Sequence, residues 1–263
     1  MEIKIFTVDA FTNKAFSGNP AAVCILDHEL NDEQMHNIAF EMNLSETAYV
    51  LKQKDNYSLK WFTPDSEVDL CGHATLASSH ILWEKNIHEG NKTIEFQTRS
   101  GILKANKADG KIELDFPIDN ERKIEIFDDL IKTLGAEPVY LGRTKWSYLA
   151  EMDSEETVRS IKPDFALMET LEAWGLMITA RSSSKDFDFV SRFFAPRKGV
   201  MEDPVTGSAH CALGPYWMKK LQKNNLKAYQ ASKRGGILGI TIDGDRVKLT
   251  GSAVTVLEGK LYI

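Results

Sequence analysis

Short runs of alternating and continuous apolar residues dominate this chain, and they predict strands. Ile3 to Val8 alternates, Ala21 to Leu26 is a brief apolar run, and Glu46 to Leu51 follows. A hairpin is expected from Gly101 to Phe116, because Asp109-Gly110 tolerates the positive φ of a tight turn. The C-terminal stretch reads as a β-meander. Its strands run Ile237 to Ile242, Val247 to Thr250 and Ala253 to Leu257, with turns at Asp243-Gly244-Asp245 and Glu258-Gly259.

Helical periods alternate with these strands. Asn31 is an expected N-cap with Gln34 three residues on, and Met35, Ile38, Ala39 and Met42 line one apolar face. Phe127 to Leu134 predicts a short helix that Gly135 ends. Ser154 to Ile161 and Asp164 to Trp174 also read as helices, followed by a strand from Gly175 to Ala180. Hairpins mixed with helices, and no glycine-rich dinucleotide fingerprint, indicate an α+β fold rather than a Rossmann sheet. A polar stretch from Pro117 to Arg122 marks a boundary, giving domains of 1–118 and 119–263, with the C-terminal strands free to cross back to the first.

Composition narrows the function classes. The 263 residues are 43% hydrophobic and 27% charged, with a formal net charge of −6, which suits a globular protein and disfavours nucleic acid or an anionic membrane as partner. No segment approaches the length of a membrane span or the layout of a signal peptide. Cys24, Cys71 and Cys211 are odd in number and form no C-x-x-C pair, which fits a reducing cytoplasm. The histidines show no metal-ligand spacing, so no metal is expected.

An internal duplication carries the most information. Residues 60–83 and 192–217 each hold an aromatic strand ending in a proline (Pro64, Pro196), then an acidic loop. A glycine (Gly72, Gly207) follows, opening a helix of small residues. Two copies in one chain imply two pseudo-symmetric halves. Ala74, Ala77, Ser78 and Ser79, like Ser208, Ala209, Ala212 and Gly214, would let a helix sit close inside a concave sheet. The helix starts offer backbone N–H groups to an anion, and two of them facing one another would grip a carboxylate and a developing enolate together. The plainer alternative is a pair of ordinary N-termini capped by Ser or Asp.

Five segments then carry a family resemblance. Asp9 to Thr12 with Phe16 to Val23, Leu44 to Ala48, Phe62 to Pro64, Leu70 to Thr75, and Glu202 to Ala209 together resemble the phenazine-biosynthesis PhzF-like family. The resemblance implies the diaminopimelate-epimerase fold: two pseudo-symmetric domains, each a curved mixed or antiparallel sheet wrapped around a central helix, with the site between them. It implies cofactor-free isomerisation by proton transfer on a small carboxylate, in the phenazine pathway a dihydro-hydroxyanthranilate. A homodimer is also within what the resemblance allows.

By that resemblance Glu46 is the acid/base, with His73 and Asp203 contacting substrate or assisting the proton. An imidazole suits such a role because it exchanges protons near neutral pH. Gly72, Gly207 and Ser208 would bind the substrate carboxylate, and Asn19 and Ser45 would line the pocket. Read without the family, Glu46 is a strand-end or capping residue, His73 a backbone-bonded helix-start histidine, and Asp203 an N-cap before Thr206-Gly207. Two other functions stay open. One is a cysteine-type racemase or epimerase, for which Cys71 sits at the first helix start but the second copy has Glu202-Asp203-Pro204-Val205 and no thiol. The other is a non-catalytic small-ligand binder.

Overall fold

The computed structural model describes residues Met1–Ile263, and the chain divides into two compact units. Unit 1 comprises Met1–Phe116 and Lys248–Ile263, and unit 2 comprises Pro117–Val247.

Unit 1 begins with β1 (Glu2–Ala10) and β2 (Asn19–Leu26), then α1 (Asp32–Met42), β3 (Glu46–Lys52), β4 (Tyr57–Phe62) and β5 (Glu67–Val68). Next come α2 (Gly72–Glu84), β6 (Ile94–Thr98), β7 (Gly101–Ala108) and β8 (Lys111–Pro117). β1 and β2 pair antiparallel, β2 and β3 parallel, β3 and β4 antiparallel, β4 and β6 parallel, and β6 and β7 antiparallel. Each parallel pair is joined by a helix, because a parallel return needs a crossover. Asn31 and Gln34 close the expected capping box at the start of α1. Met35, Ile38 and Ala39 of α1 pack with Ile5, Ala22, Cys24 and Tyr49 in one apolar cluster. The small side chains of α2 bring it against β1, β2 and β3, and ten of its thirteen residues are buried. Ser78 and Ser79 turn their hydroxyls back onto the carbonyls of Ala74 and Thr75, which satisfies them inside the core.

Unit 2 contains β9 (Arg122–Lys123), α3 (Asp128–Leu134), β10 (Tyr140–Arg143), β11 (Ser147–Glu151), α4 (Glu155–Ser160) and α5 (Phe165–Thr170). It continues with β12 (Gly175–Arg181), β13 (Phe189–Ala195), β14 (Val200–Asp203), α6 (Gly207–Leu221), β15 (Asn225–Gln230) and β16 (Gly236–Asp243), and β17 (Arg246–Gly251) leads back to unit 1. The pairing sequence repeats that of unit 1. β10–β11 is antiparallel, β11–β12 parallel, β12–β13 antiparallel, β13–β15 parallel and β15–β16 antiparallel. The duplication seen in residues 60–83 and 192–217 is thus one segment of a topology that recurs over each unit.

Pro215 lies inside α6, where it cannot donate to the carbonyl of Cys211. The backbone N–H of Asp119 bonds that carbonyl instead, at 3.1 Å, so the proline leaves no buried acceptor unmet. Gly214 beside it lets the helix approach β16: a Cβ there would lie 2.8 Å from the Ile240 side chain.

Two local expectations change. No turn forms at Glu258-Gly259; β18 (Ala253–Tyr262) runs straight through it, paired antiparallel with β1, with a bulge opposite Thr7/Val8 and Gly259 facing Ile5. The helix expected from Asp164 to Trp174 is α5 alone, since Leu171 is already extended and Trp174 packs edge-on against Phe193. No helix is long and apolar enough to cross a membrane.

Candidate functional site

Parallel pairing of β2 with β3 sets Ala21 level with Glu46, so the starts of the two strands lie side by side. Asn19 opens β2, Ser45 and Glu46 sit at the start of β3, and the first turn of α2 brings Cys71 and His73 to the same place. Four of the residues expected to act together are therefore gathered in unit 1: Asn19, Ser45, Glu46 and His73. Gly72, between Cys71 and His73, is the first residue of α2.

The geometry centres on His73. Its Nε2 lies 3.2 Å from a carboxylate oxygen of Glu46 and 3.4 Å from the Ser45 hydroxyl. Its Nδ1 lies 3.1 Å from the Asn19 amide nitrogen and 3.5 Å from the Cys71 thiol. Ser45 in turn donates to Asn19 Oδ1 at 3.2 Å. His73 is buried and Asn19 fully so, whereas the Glu46 side chain keeps 17% exposure, enough to meet a ligand. Burial drives the His73 pKa down to about 3. The imidazole is therefore neutral near pH 7, with a proton on one ring nitrogen and a lone pair on the other.

Glu46, Cys71 and His73 also place one ligand atom each within 4.8 Å of one another. The thiol faces Nδ1 and the carboxylate faces Nε2.

The remaining expected residues, Asp203, Gly207 and Ser208, belong to unit 2. Asp203 ends β14, and its carboxylate accepts from the Thr206 hydroxyl. Thr206, not Asp203, occupies the N-cap of α6. Gln230 locks this corner, accepting from Thr206 N–H at 2.8 Å and donating to the Asp203 carbonyl at 2.7 Å. Ser208 is exposed on the first turn of α6. Neither α2 nor α6 is capped by the side chain of its N-cap residue, which differs from the plain Ser- or Asp-capped alternative.

Matched by the repeat, Cys71 corresponds to Thr206 and Thr75 to His210. The structure adds a shared feature that sequence matching missed. The Thr75 hydroxyl donates to the Cys71 carbonyl at 2.5 Å, and His210 Nδ1 donates to the Thr206 carbonyl at 2.7 Å. Different side chains thus tie down the same carbonyl in each copy. His210 is fully buried, stacked on Phe189, and its pKa is lowered to about 4, burial outweighing the bond to Thr206. With Thr206 at the second helix start, and Cys211 a turn inside α6 directed at the Gly207 carbonyl, the two-thiol arrangement of a cysteine racemase is missing.

Comparison with known proteins places these features. The sequence profile of the family described as phenazine biosynthesis-like protein matches residues 8–259. An uncharacterized isomerase of Halalkalibacterium halodurans is 53% identical over 264 residues, covering all of both chains. The crystal structure of a PhzF-family phenazine biosynthesis protein from Enterococcus faecalis superposes with a TM-score of 0.96 at 40% identity, covering all of both chains. A hydroxyproline epimerase from Agrobacterium vitis, at 12% identity and a TM-score of 0.63 over 99% of this chain and 92% of its own, shares the fold alone.

Proposed function

This chain belongs to the phenazine biosynthesis-like protein family and is an isomerase, and on that premise we propose that it moves a proton between carbons of a small carboxylate substrate, with Glu46 as both base and acid. The observation that carries the reading is the Glu46–His73 pair: a carboxylate mostly enclosed yet partly open, held 3.2 Å from the ring nitrogen of a buried imidazole. A group that takes a proton from one carbon and returns it to another must be stable in both states. A carboxyl group set beside the buried ring nitrogen and still partly open is placed to meet substrate in either state.

The substrate's own carboxylate is assigned to the first-turn N–H groups of Gly72 and His73 in α2, which have no intrahelical acceptor; Gly207 and Ser208 of unit 2 are proposed as binding residues on the family resemblance alone. Support for this comes from the uncapped helix starts and from the motif Glu202 to Ala209. Asp203 would hold a substrate amine, for which its carboxylate is suited. A cyclic amino acid of the dihydro-hydroxyanthranilate type fits these groups.

The test is incubation in D₂O with a panel of cyclic and α-amino carboxylates, followed by mass spectrometry for deuterium at carbon. Glu46→Gln should lower exchange by roughly 10²–10⁴-fold, the range removed with a general acid/base, while Cys71→Ser retains it. Exchange that survives Glu46→Gln and disappears with Cys71→Ser would overturn the glutamate reading.

A further inference from the structure

Ser45, Asn19 and His73 close a ring of hydrogen bonds. Ser45 Oγ meets Asn19 Oδ1 at 3.2 Å, Asn19 Nδ2 meets His73 Nδ1 at 3.1 Å, and His73 Nε2 returns to Ser45 Oγ at 3.4 Å. Such a ring can run in either sense. In one, the serine donates to the amide oxygen, the amide N–H to Nδ1, and Nε2–H back toward the serine. In the other the amide is rotated, Nδ1 carries the proton, and the serine donates to Nε2.

Two groups beside the ring break the tie. The Pro20 carbonyl lies 3.3 Å from Ser45 Oγ and accepts only, so the serine proton belongs on the Asn19/Pro20 side. The Glu46 carboxylate lies 3.2 Å from Nε2 and, when ionised, also accepts only. In the second sense it would face the Nε2 lone pair, a repulsive contact. Reversal also requires the Asn19 amide to turn over, and that side chain is fully buried.

We infer that Asn19 is a positioning residue: it holds His73 in the Nε2–H tautomer, so that the ring edge 3.2 Å from Glu46 carries a proton and has no lone pair there to take one from it. The consequence rests on Glu46 being the acid/base. A proton taken from substrate by Glu46 is then stored on Glu46 until it is returned, and is not passed inward to the histidine. Asn19 thereby acts on the chemistry through His73, which differs from the pocket-lining role its position in the sequence suggests.

The experiment is ¹⁵N NMR of the imidazole nitrogens in ¹⁵N-histidine-labelled protein at pH 7, with His73 assigned by comparison with His73→Gln. The inference expects a pyridine-like Nδ1 and a pyrrole-like Nε2 in the wild type. In Asn19→Asp, both side-chain oxygens accept, and the Nδ1 signal should move to the protonated, pyrrole-like end of the range. In Glu46→Gln, the Asn19 amide still donates to Nδ1, so the wild-type tautomer should persist. A protonated Nδ1 in the wild type overturns the inference, and this result needs no variant to fold. So does an Asn19→Asp protein with unchanged Nδ1, or a tautomer that reverses in Glu46→Gln. None of these readouts depends on turnover, so they stand apart from the deuterium-exchange test of Glu46.

Discussion

Lowering the pH from 7 to 5 should weaken this fold through two histidines that are buried in the neutral form. The folded pKa values, about 3 for His73 and about 4 for His210, lie below the ordinary value of 6.5, and desolvation is the leading cause in both. Between those values and 6.5 the unfolded chain holds more protons than the folded one. The stability these sites contribute is therefore complete above about pH 6.5 and is lost as the pH falls toward the folded values. At pH 5 each histidine has cost about 2 kcal/mol relative to pH 7, from about 1.4 kcal/mol per unit of pKa difference. Carboxylates titrate over part of the same range, so the clean measurement is a difference. Urea unfolding of wild type and His210→Asn across pH 5 to 7 should show the variant less stable at neutrality, where it gives up the bond to Thr206, yet flatter with pH by about 2 kcal/mol. Parallel profiles for the two proteins would refute the argument that burial keeps His210 neutral.

Two further changes follow from packing. Gly18 has φ +66°, and a Cβ there would lie 2.2 Å from the Ala10 carbonyl oxygen, so Gly18→Ala should cost roughly 1–3 kcal/mol in urea unfolding. The Thr179 hydroxyl accepts from the Trp217 indole at 2.9 Å and donates to the Val190 carbonyl at 2.7 Å. Thr179→Val leaves the Trp217 indole N–H unpaired in the core and should lower stability by roughly 1–3 kcal/mol, whereas Thr179→Ser, which keeps the hydroxyl, should lose much less.

What could be read from the sequence was what neighbours in the chain decide. The capping box of Asn31 and Gln34, and the turn at Asp109-Gly110 where both residues have positive φ, depend on a few adjacent residues and formed as expected. The repeat was legible because prolines, aromatics and small residues recur at matched positions. The bond shared by Thr75 and His210 was not, because a threonine and a histidine look unrelated until both are seen on the same carbonyl. The supposed turn at Glu258-Gly259 failed for a related reason: a glycine breaks a local pattern, but a full-length partner in β1 holds the strand extended across it. At the candidate site, Asn19, Ser45, Glu46 and His73 were nameable from the chain. The neutral state of His73 was not, since it comes from burial that only the assembled sheet and helix create.

Pairing of β18 with β1 has a bearing on the order in which the protein can form. Unit 2 is continuous, Pro117–Val247, and every strand of its repeated topology is present once that segment has left the ribosome. Unit 1 must wait for Ala253–Tyr262 before β1 gains its outer neighbour. Until then the growing chain carries the open edge of β1, an exposed row of backbone donors and acceptors of the kind that recruits other strands. A released chain ending at Val247 should therefore display a protease-resistant second unit and a first unit still open to cleavage, and adding back residues 248–263 should close it.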